Sequence, residues 1–527
     1  MGSGRDERVE EDAEIEVLLR LFGEDVAAMQ RLSAVLARAP ERFRQVVAQV
    51  DGAEAIEWVA LLVRNLGRPA FESVVESYFD GEEQAQAVLL RLLGPWQDRE
   101  KLEHGWQLPL LPQAHMLCAV VMDAPQPLRA RIGLLIDLLE HTTGKERAAE
   151  GVVPLYICVL RGFGEPAYEL LLERFMRLLP QRKTTYCDPL IAALQAFTSP
   201  FARELTQLLR AGDRDRIALG LRGVEGLARP SWHSQGTTRE RAYERRIRGV
   251  WYRDQIDAEA FDQMVAAVAD VCAGADAAMR PWAMEVLGMV PNRAHAAVVR
   301  AGLRDEDPAV RLAAIMAVAD LRDPESVEEL MACVREGDPL VRRRAVEALS
   351  HMRARAAKAL LEELIDDPDA AVRKAAITNL ADIGDAGSRA RLDALMRGKD
   401  KKVARLAAQA LFRWQGRTRE TKKQQPKLLG TNGENLRGGE IPVSQLHRSV
   451  VAVMGGLPEL RDYEEMELTR LAARVCGDYA TVRRKLVSGR DALMRRAKGI
   501  YVFTELGAAV WQVEHFIKDH FLSLECY

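Results

Sequence analysis

The chain has 527 residues, a formal net charge of −3, 29% charged residues and only 6% aromatic ones. That length exceeds what one hydrophobic core supports and predicts about two to four structural units. The charge balance excludes a nucleic-acid sponge or an acidic tail protein, and abundant Ala, Leu, Arg and Glu favour helix over sheet.

Seven cysteines (Cys118, Cys158, Cys187, Cys272, Cys333, Cys476 and Cys526) are scattered with no CxxC spacing. That pattern fits reduced thiols better than a disulfide framework or a zinc site. The opening MGSGRDERVEEDAE carries charge where a signal peptide needs an apolar run. No stretch approaches the roughly 18 apolar residues that a membrane span requires. The expectation is a soluble, cytoplasmic protein of a bacterium, with no membrane partner.

Residues 1–15 read as an acidic, disordered start. From 16 to 270, amphipathic helices are predicted at 15–22, 55–64, 85–93, 128–139, 152–160, 167–178 and 201–209, separated by Gly/Pro breaks. The segment 213–227, with Ile217, Val224 and Leu227, reads as a worn copy of the repeats that follow. A degenerate helical-repeat region is the economical reading, and a separate helical domain is the alternative. Seven arginines lie between 229 and 253, among them Arg245, Arg246 and Arg248, interleaved with aromatics that include Trp251 and Tyr252. Such a mixture can grip phosphates and stack on bases. The reading preferred here is a long inter-helix loop whose aromatics close the end of the regular stack.

Residues 271–416 carry a period of 31: Asp276, Asp307, Asp338, Asp369 and Asp400 fall at that interval. Arg280, Arg311, Arg342 and Arg373 follow in step, as do Ala283, Ala314, Ala345, Ala376 and Ala407, and Leu287, Val318, Leu349, Leu380 and Leu411. Self-similarity at this period is the mark of a stacked solenoid. Asp307-Pro308 and Asp338-Pro339 place an N-cap carboxylate before a proline that loses no hydrogen bond in the first turn. Val310, Ala314 and Val318 then share one helix face, and the small alanine lets neighbouring units approach. After a polar break, a second helix carries Val299, Leu330, Leu361 and Leu392. Capping and an inter-repeat Asp–Arg ladder are the expected roles of the repeated charges. A binding ridge is the alternative.

The motifs D-P-A-V-R-L-A-A at 307–314, D-P-L-V-R-R-R-A at 338–345 and D-A-A-V-R-K-A-A at 369–376 resemble the short bacterial HEAT repeat of phycobilisome-lyase-like proteins. The resemblance implies a helix–turn–helix solenoid. Its members span chromophore lyases, a DNA glycosylase and plain scaffolds, so it leaves the chemistry open.

A stretch at 417–440 rich in Gly, Asn and Gln reads as a basic flexible linker. Residues 397–427 hold eleven basic residues against Asp400 and Glu420, which fits a soluble linker or a patch for polyanions.

The final unit, 441–527, differs in kind. Helices are predicted at 446–454, 463–475 and 479–486, then a short basic helix or turn at 493–496, a β-prone run at 499–503 and a last helix at 508–521. Three helices followed by a hairpin outline a winged helix. D-Y-E-E-M-E-L-T-R-L at 462–471, Y-A-T-V-R-R-K-L-V at 479–487 and R-R-A-K-G-I-Y-V-F at 495–503 resemble an uncharacterised bacterial domain often fused to helix-turn-helix transcriptional regulators. In a DNA-binding winged helix, Arg483, Arg484 and Lys485 would lie on the recognition helix, Arg495, Arg496 and Lys498 at the wing, and Arg490 between them. Glu459, Asp462, Glu464, Glu465 and Glu467 nearly balance these charges. A solvated face or contact with protein is the stronger reading, and contact with DNA the weaker.

No Walker loop, HExxH, GxSxG or clustered Cys/His occurs, and no GxGxxG follows a strand. His515 and His520 lie about 140° apart around a helix and are not expected to share a metal. The sequence therefore predicts an all-α fold: a solenoid of HEAT-like repeats with a small winged-helix-like domain of helices and a short β-hairpin. Its expected function is a non-catalytic scaffold for protein partners, with no cofactor, metal or small-molecule substrate. A DNA-associated regulator is the alternative, and a HEAT-type lyase or DNA-modifying enzyme the third reading.

Overall fold

The structure, a computed structural model, describes residues 26–38, 42–48, 52–92, 110–141, 152–178, 189–228, 256–274, 276–290, 293–383, 385–423, 450–451, 453–475, 479–487, 492–497 and 500–520. The chain divides into two compact units. One gathers residues 1–175, 192–196 and 430–527, and the other gathers 176–191 and 197–429.

Helices dominate both. The first are α1 (Val26–Arg38), α2 (Phe43–Ala48), α3 (Ala53–Leu66), α4 (Arg68–Phe79), α5 (Glu83–Leu92), α6 (Leu110–Asp123), α7 (Leu128–His141), α8 (Val152–Gly162) and α9 (Glu165–Met176). Next come α10 (Pro189–Gln195), α11 (Ser199–Leu209), α12 (Arg214–Ala228) and α13 (Ala258–Ala273). The regular repeats follow as α14 (Arg280–Met289), α15 (Ala296–Gly302), α16 (Pro308–Leu321), α17 (Val327–Glu336), α18 (Pro339–His351), α19 (Lys358–Glu363), α20 (Ala370–Ile383), α21 (Ala386–Met396) and α22 (Lys401–Lys423). The helix α22 runs past residue 417, where composition alone places the start of a linker.

Within the repeats, α14, α16, α18, α20 and α22 pack successively on one another, with α15, α17, α19 and α21 layered beside them. This is a HEAT-like helical-repeat solenoid. The alanines of the period explain the stacking: Ala283, Ala314, Ala345, Ala376 and Ala407 are all completely buried. So are Leu287, Val318, Leu349 and Leu380, and on the second helices Val299, Leu330, Leu361 and Leu392. Each apolar face is covered by the units on either side and not by its own helix pair. The helices approach closely at Gly288, where an added Cβ would stand 2.4 Å from the Cα of Ala317, so any larger residue would push α14 and α16 apart. At the far end the register loosens, with Met396 and Phe412 40% and 77% exposed.

The repeated aspartates start these helices. Asp338 Oδ1 accepts from the backbone N–H groups of Leu340 and Val341 at 2.9 and 3.1 Å, and Asp369 from Ala371 and Val372 at 2.8 and 3.0 Å. Asp307 and Asp400 do the same at their own helices, whereas Asp276 accepts from Ala278 in the turn before α14, whose own cap position is Met279. Accepting the Val372 N–H holds the Asp369 carboxyl below its ordinary value, and accepting from Val403 and Lys402 does so for Asp400. Asp385, which caps α21, is brought down to about 2, first by the Lys358 ammonium and then by the Ser388 N–H. A carboxylate depressed in the fold stabilises fully above its unfolded value of about 3.9 and loses that contribution as pH falls through the folded value. The melting temperature of the full chain, followed by circular dichroism, is therefore expected to fall progressively from about pH 5 to about pH 2. Asp385→Asn should flatten part of that slope. A melting temperature constant across the window would refute the capping account.

In the other unit, residues 450–451 and 453–456 are helical, followed by β1 (Tyr463–Glu464), α23 (Glu465–Val475), α24 (Tyr479–Leu486), β2 (Met494–Ala497), β3 (Ile500–Phe503) and α25 (Glu505–His520). The strands form an antiparallel sheet in the order β1-β3-β2, with Tyr463 opposite Tyr501 and Arg496 opposite Tyr501 on the other side. Two sequence expectations are corrected here. Residues 494–497 are a strand and not a basic helix or turn, because pairing with β3 supplies their hydrogen bonds. The predicted helix at 463–475 begins only at Glu465, its first two residues being taken up by β1.

The last helix, α25, packs on α6 and α8 of the same unit. His115, fully buried, places Nδ1 2.8 Å from the Leu111 carbonyl and Nε2 2.8 Å from Glu514 Oε1. Beside this pair, Phe516 fills the space left by Gly162, where a Cβ would lie 2.4 Å from its ring, and meets the Phe163 ring in a tilted arrangement at 5.3 Å. Asp123 accepts from Arg68 at 2.7 Å and from Gln512 at 2.9 Å. No helix among the described residues is long and apolar enough to cross a membrane.

Candidate interaction surfaces

The repeated arginines turn inward on the stack. Arg280 pairs with Asp305 and Arg342 with Asp367, each aspartate standing two residues before a capping one. Arg311 turns back instead to the carbonyls of Asp305 and Glu306 at 2.7 and 3.0 Å, and Arg373 to those of Asp367 and Pro368 at 2.6 and 2.9 Å. The residue 25 positions after Arg373 is Gly398, which offers no carboxylate. The repeat charges are thus occupied in capping and bridging, between one unit and the next or within a single turn. The second helices add bridges of their own, Arg304 to Glu329 at 3.2 Å and Lys358 to Asp385 at 2.6 Å.

What the stack presents is a different register. Positions 312, 343, 374 and 405 hold Leu312, Arg343, Lys374 and Arg405, and positions 316, 347, 378 and 409 hold Met316, Glu347, Thr378 and Gln409. The two sets lie one helical turn apart on α16, α18, α20 and α22, so they form one face. Arg344 and Arg343 both reach Glu347, at 2.9 and 3.8 Å. Between α20 and α22 this face opens into a cleft of about 610 Å³ whose walls include Lys374, Thr378, Arg405, Gln409 and Phe412. Sequence reading passed over this track because its residue types change from unit to unit, while the invariant caps drew attention.

In the C-terminal module, two predicted contact residues converge on one carboxylate. Arg483 Nη1 lies 3.1 Å from Glu465 Oε1 and donates to Thr469 Oγ1 at 2.8 Å, while Arg496 pairs with Glu465 Oε2. Glu465 is the first residue of α23, where the helix dipole favours a negative charge. Arg496 also stands 5.8 Å over the Tyr501 ring. Arg484 and Arg495 are exposed, and Lys485 is half-buried. Arg490 and Lys498 lie outside the described residues, as do Arg245, Arg246, Arg248, Trp251 and Tyr252. The outer side of the sheet carries Arg495 opposite Val502 and Ala497 opposite Ile500, with Ile500 and Val502 both substantially exposed. This surface mixes apolar and basic side chains. The alternation Ile500-Tyr501-Val502 was its legible signal.

Elsewhere, burial pushes the thiol of Cys272 up to about 12 and that of Cys118 upward as well, so both stay protonated. Trp282 Nε1 donates to the buried Glu225 at 2.9 Å, a partner for that tryptophan that the sequence did not single out. Among the described residues no group of His, Cys, Asp and Glu could hold a metal ion.

The family match agrees with the repeat architecture. HEAT repeats match residues 265–350 and 328–411. A family described as an uncharacterized protein conserved in bacteria matches residues 441–502. No curated protein matches the chain. Among solved structures, an engineered protein is similar at 17% identity and a TM-score of 0.26, covering 76% of this chain and 99% of its own. A designed armadillo repeat protein in complex with the peptide (KR)4 is similar at 19% identity and 0.24, over 40% of this chain and 99% of its own. The Pds5-Scc1 complex is similar at 12% and 0.28, over 76% and 63%. Likeness at these TM-scores carries no functional argument.

Proposed function

We propose that the chain is a non-catalytic, cytoplasmic HEAT-repeat scaffold that holds a protein partner and carries a C-terminal winged-helix-like module which itself faces protein. The observation that carries the reading is the division of labour in the repeats. The charges that recur from repeat to repeat are spent on caps and bridges, while a variable, solvent-facing track crosses α16, α18, α20 and α22. Protonated buried thiols are not nucleophiles, which fits a binding role. In the C-terminal module, the pairing of Arg483 and Arg496 with Glu465 and the exposed Ile500 and Val502 favour protein over phosphate. The test is isolation of the tagged full-length chain from its own cells through a high-salt wash. A stoichiometric protein is expected to remain bound, and recovery of the chain alone would defeat the reading.

The DNA reading has one observation in its favour. Helix, β1, two helices and a hairpin follow in the winged-helix order, with the sheet order β1-β3-β2 and exposed Arg484 and Arg495. The expected result is that the full chain gives no shift of duplex DNA at low salt. A shift that weakens steeply with salt and disappears in Arg484→Ala with Arg495→Ala would put this reading first.

A further inference from the structure

We propose that the cleft between α20 and α22 binds an acidic, extended segment of the partner protein, two carboxylates of which meet Lys374 and Arg405 while an apolar side chain rests on Phe412. The proposal rests on the scaffold reading and specifies the chemistry of its partner.

The charge of the cleft is one-sided. Lys374 and Arg405 occupy the same register position in consecutive repeats and are both exposed. Neither has an ion-pair partner among the described residues, whereas Arg280, Arg300, Arg304, Arg342, Lys358 and Arg391 in the same stack all do. The nearest carboxylate on this face, Glu347, is already shared by Arg343 and Arg344. Thr378 and Gln409, one turn further along the same two helices, add groups that hydrogen-bond a peptide backbone. Phe412 follows Arg405 and Gln409 at i+7 and i+3, on the same face, and is 77% exposed. An exposed phenylalanine beside unpartnered cations suits an acidic peptide with an apolar anchor.

Geometry sets the spacing. Packed helices stand about 8–10 Å apart, and an extended chain advances about 3.3 Å per residue. A strand crossing α20 and α22 therefore presents carboxylates about three residues apart. Nucleic acid fits less well, because the next cation along this face, Arg343, already faces Glu347, and beyond it stand Leu312 and Met316.

The probe is a fluorescein-labelled peptide, Gly-Glu-Ser-Leu-Glu-Phe-Gly, titrated with the full-length chain and read by anisotropy. Binding is expected, weakened by added salt, and absent for the same peptide with Gln in place of both Glu. Lys374→Glu with Arg405→Glu, and separately Phe412→Ala, should each weaken it by about tenfold or more. Arg389→Glu, an exposed charge on α21, should leave it unchanged. No binding, equal loss in Arg389→Glu, or displacement of the peptide by duplex DNA would each overturn the proposal. If a partner co-purifies equally with the wild type and with the double charge reversal, the scaffold reading stands and this cleft is not its site. If nothing co-purifies, the scaffold reading itself fails.

Discussion

Leu349→Ala should loosen the regular stack by about 2–5 kcal/mol, the range for removing a fully buried leucine side chain. Leu349 is completely buried on α18, which packs against both α16 and α20. Each repeat relies on its neighbours for burial, so the effect should reach beyond the helix that carries it. Two compact units make a single unfolding free energy ill-defined, and site-resolved hydrogen exchange is the suitable measurement. Amides of α16, α18 and α20 should all exchange faster, while those of α6 and α25 keep their protection. Met316→Ala, at a 41% exposed position of α16, should change exchange by no more than about 0.5 kcal/mol. Faster exchange confined to α18 would mean that the repeats do not share a continuous core.

Glu514→Ala is expected to cost about 1–3 kcal/mol, because it leaves the buried His115 Nε2 without its hydrogen-bond partner. Nδ1 already donates to the Leu111 carbonyl, so the ring cannot turn to satisfy both nitrogens elsewhere. The helix α25 should then lose its protection from proteolysis, since its packing on α6 and α8 includes this pair. Replacing both residues by leucine should recover most of the loss, since removing both partners of a buried hydrogen bond leaves no polar group unsatisfied. Gly162→Val attacks a neighbouring contact of α25, driving a Cβ into the Phe516 ring. Unchanged protease resistance in both Glu514→Ala and Gly162→Val would show that α25 is not held by these contacts.

The sequence itself determined the repeat. A period of 31 residues, an aspartate before the first turn and an alanine at each helix crossing are local and short-range requirements, and they left the same residue types at the same spacing. Asp338, Ala345 and Leu349 could each be given a role from register alone, and the structure places them as a cap and as buried packing residues. Capping and periodicity need only a few neighbouring residues, so they are written in the order of the chain.

Tertiary structure alone decided the rest, because those features join residues far apart in sequence. Glu514 meets His115 across 399 positions, and no periodicity announces such a pair. Glu465 gathers Arg483 and Arg496 from a different helix and a strand, turning two residues of an apparent basic patch into internal ion pairs. Residues 494–497 became a strand because β3 offered an edge, an outcome that a run of basic residues does not encode. Lys374, Arg405 and Phe412 form one cleft only once α20 and α22 lie side by side. Packing decides which charges are cancelled and which remain to meet a partner, and that choice depends on where distant side chains come to rest.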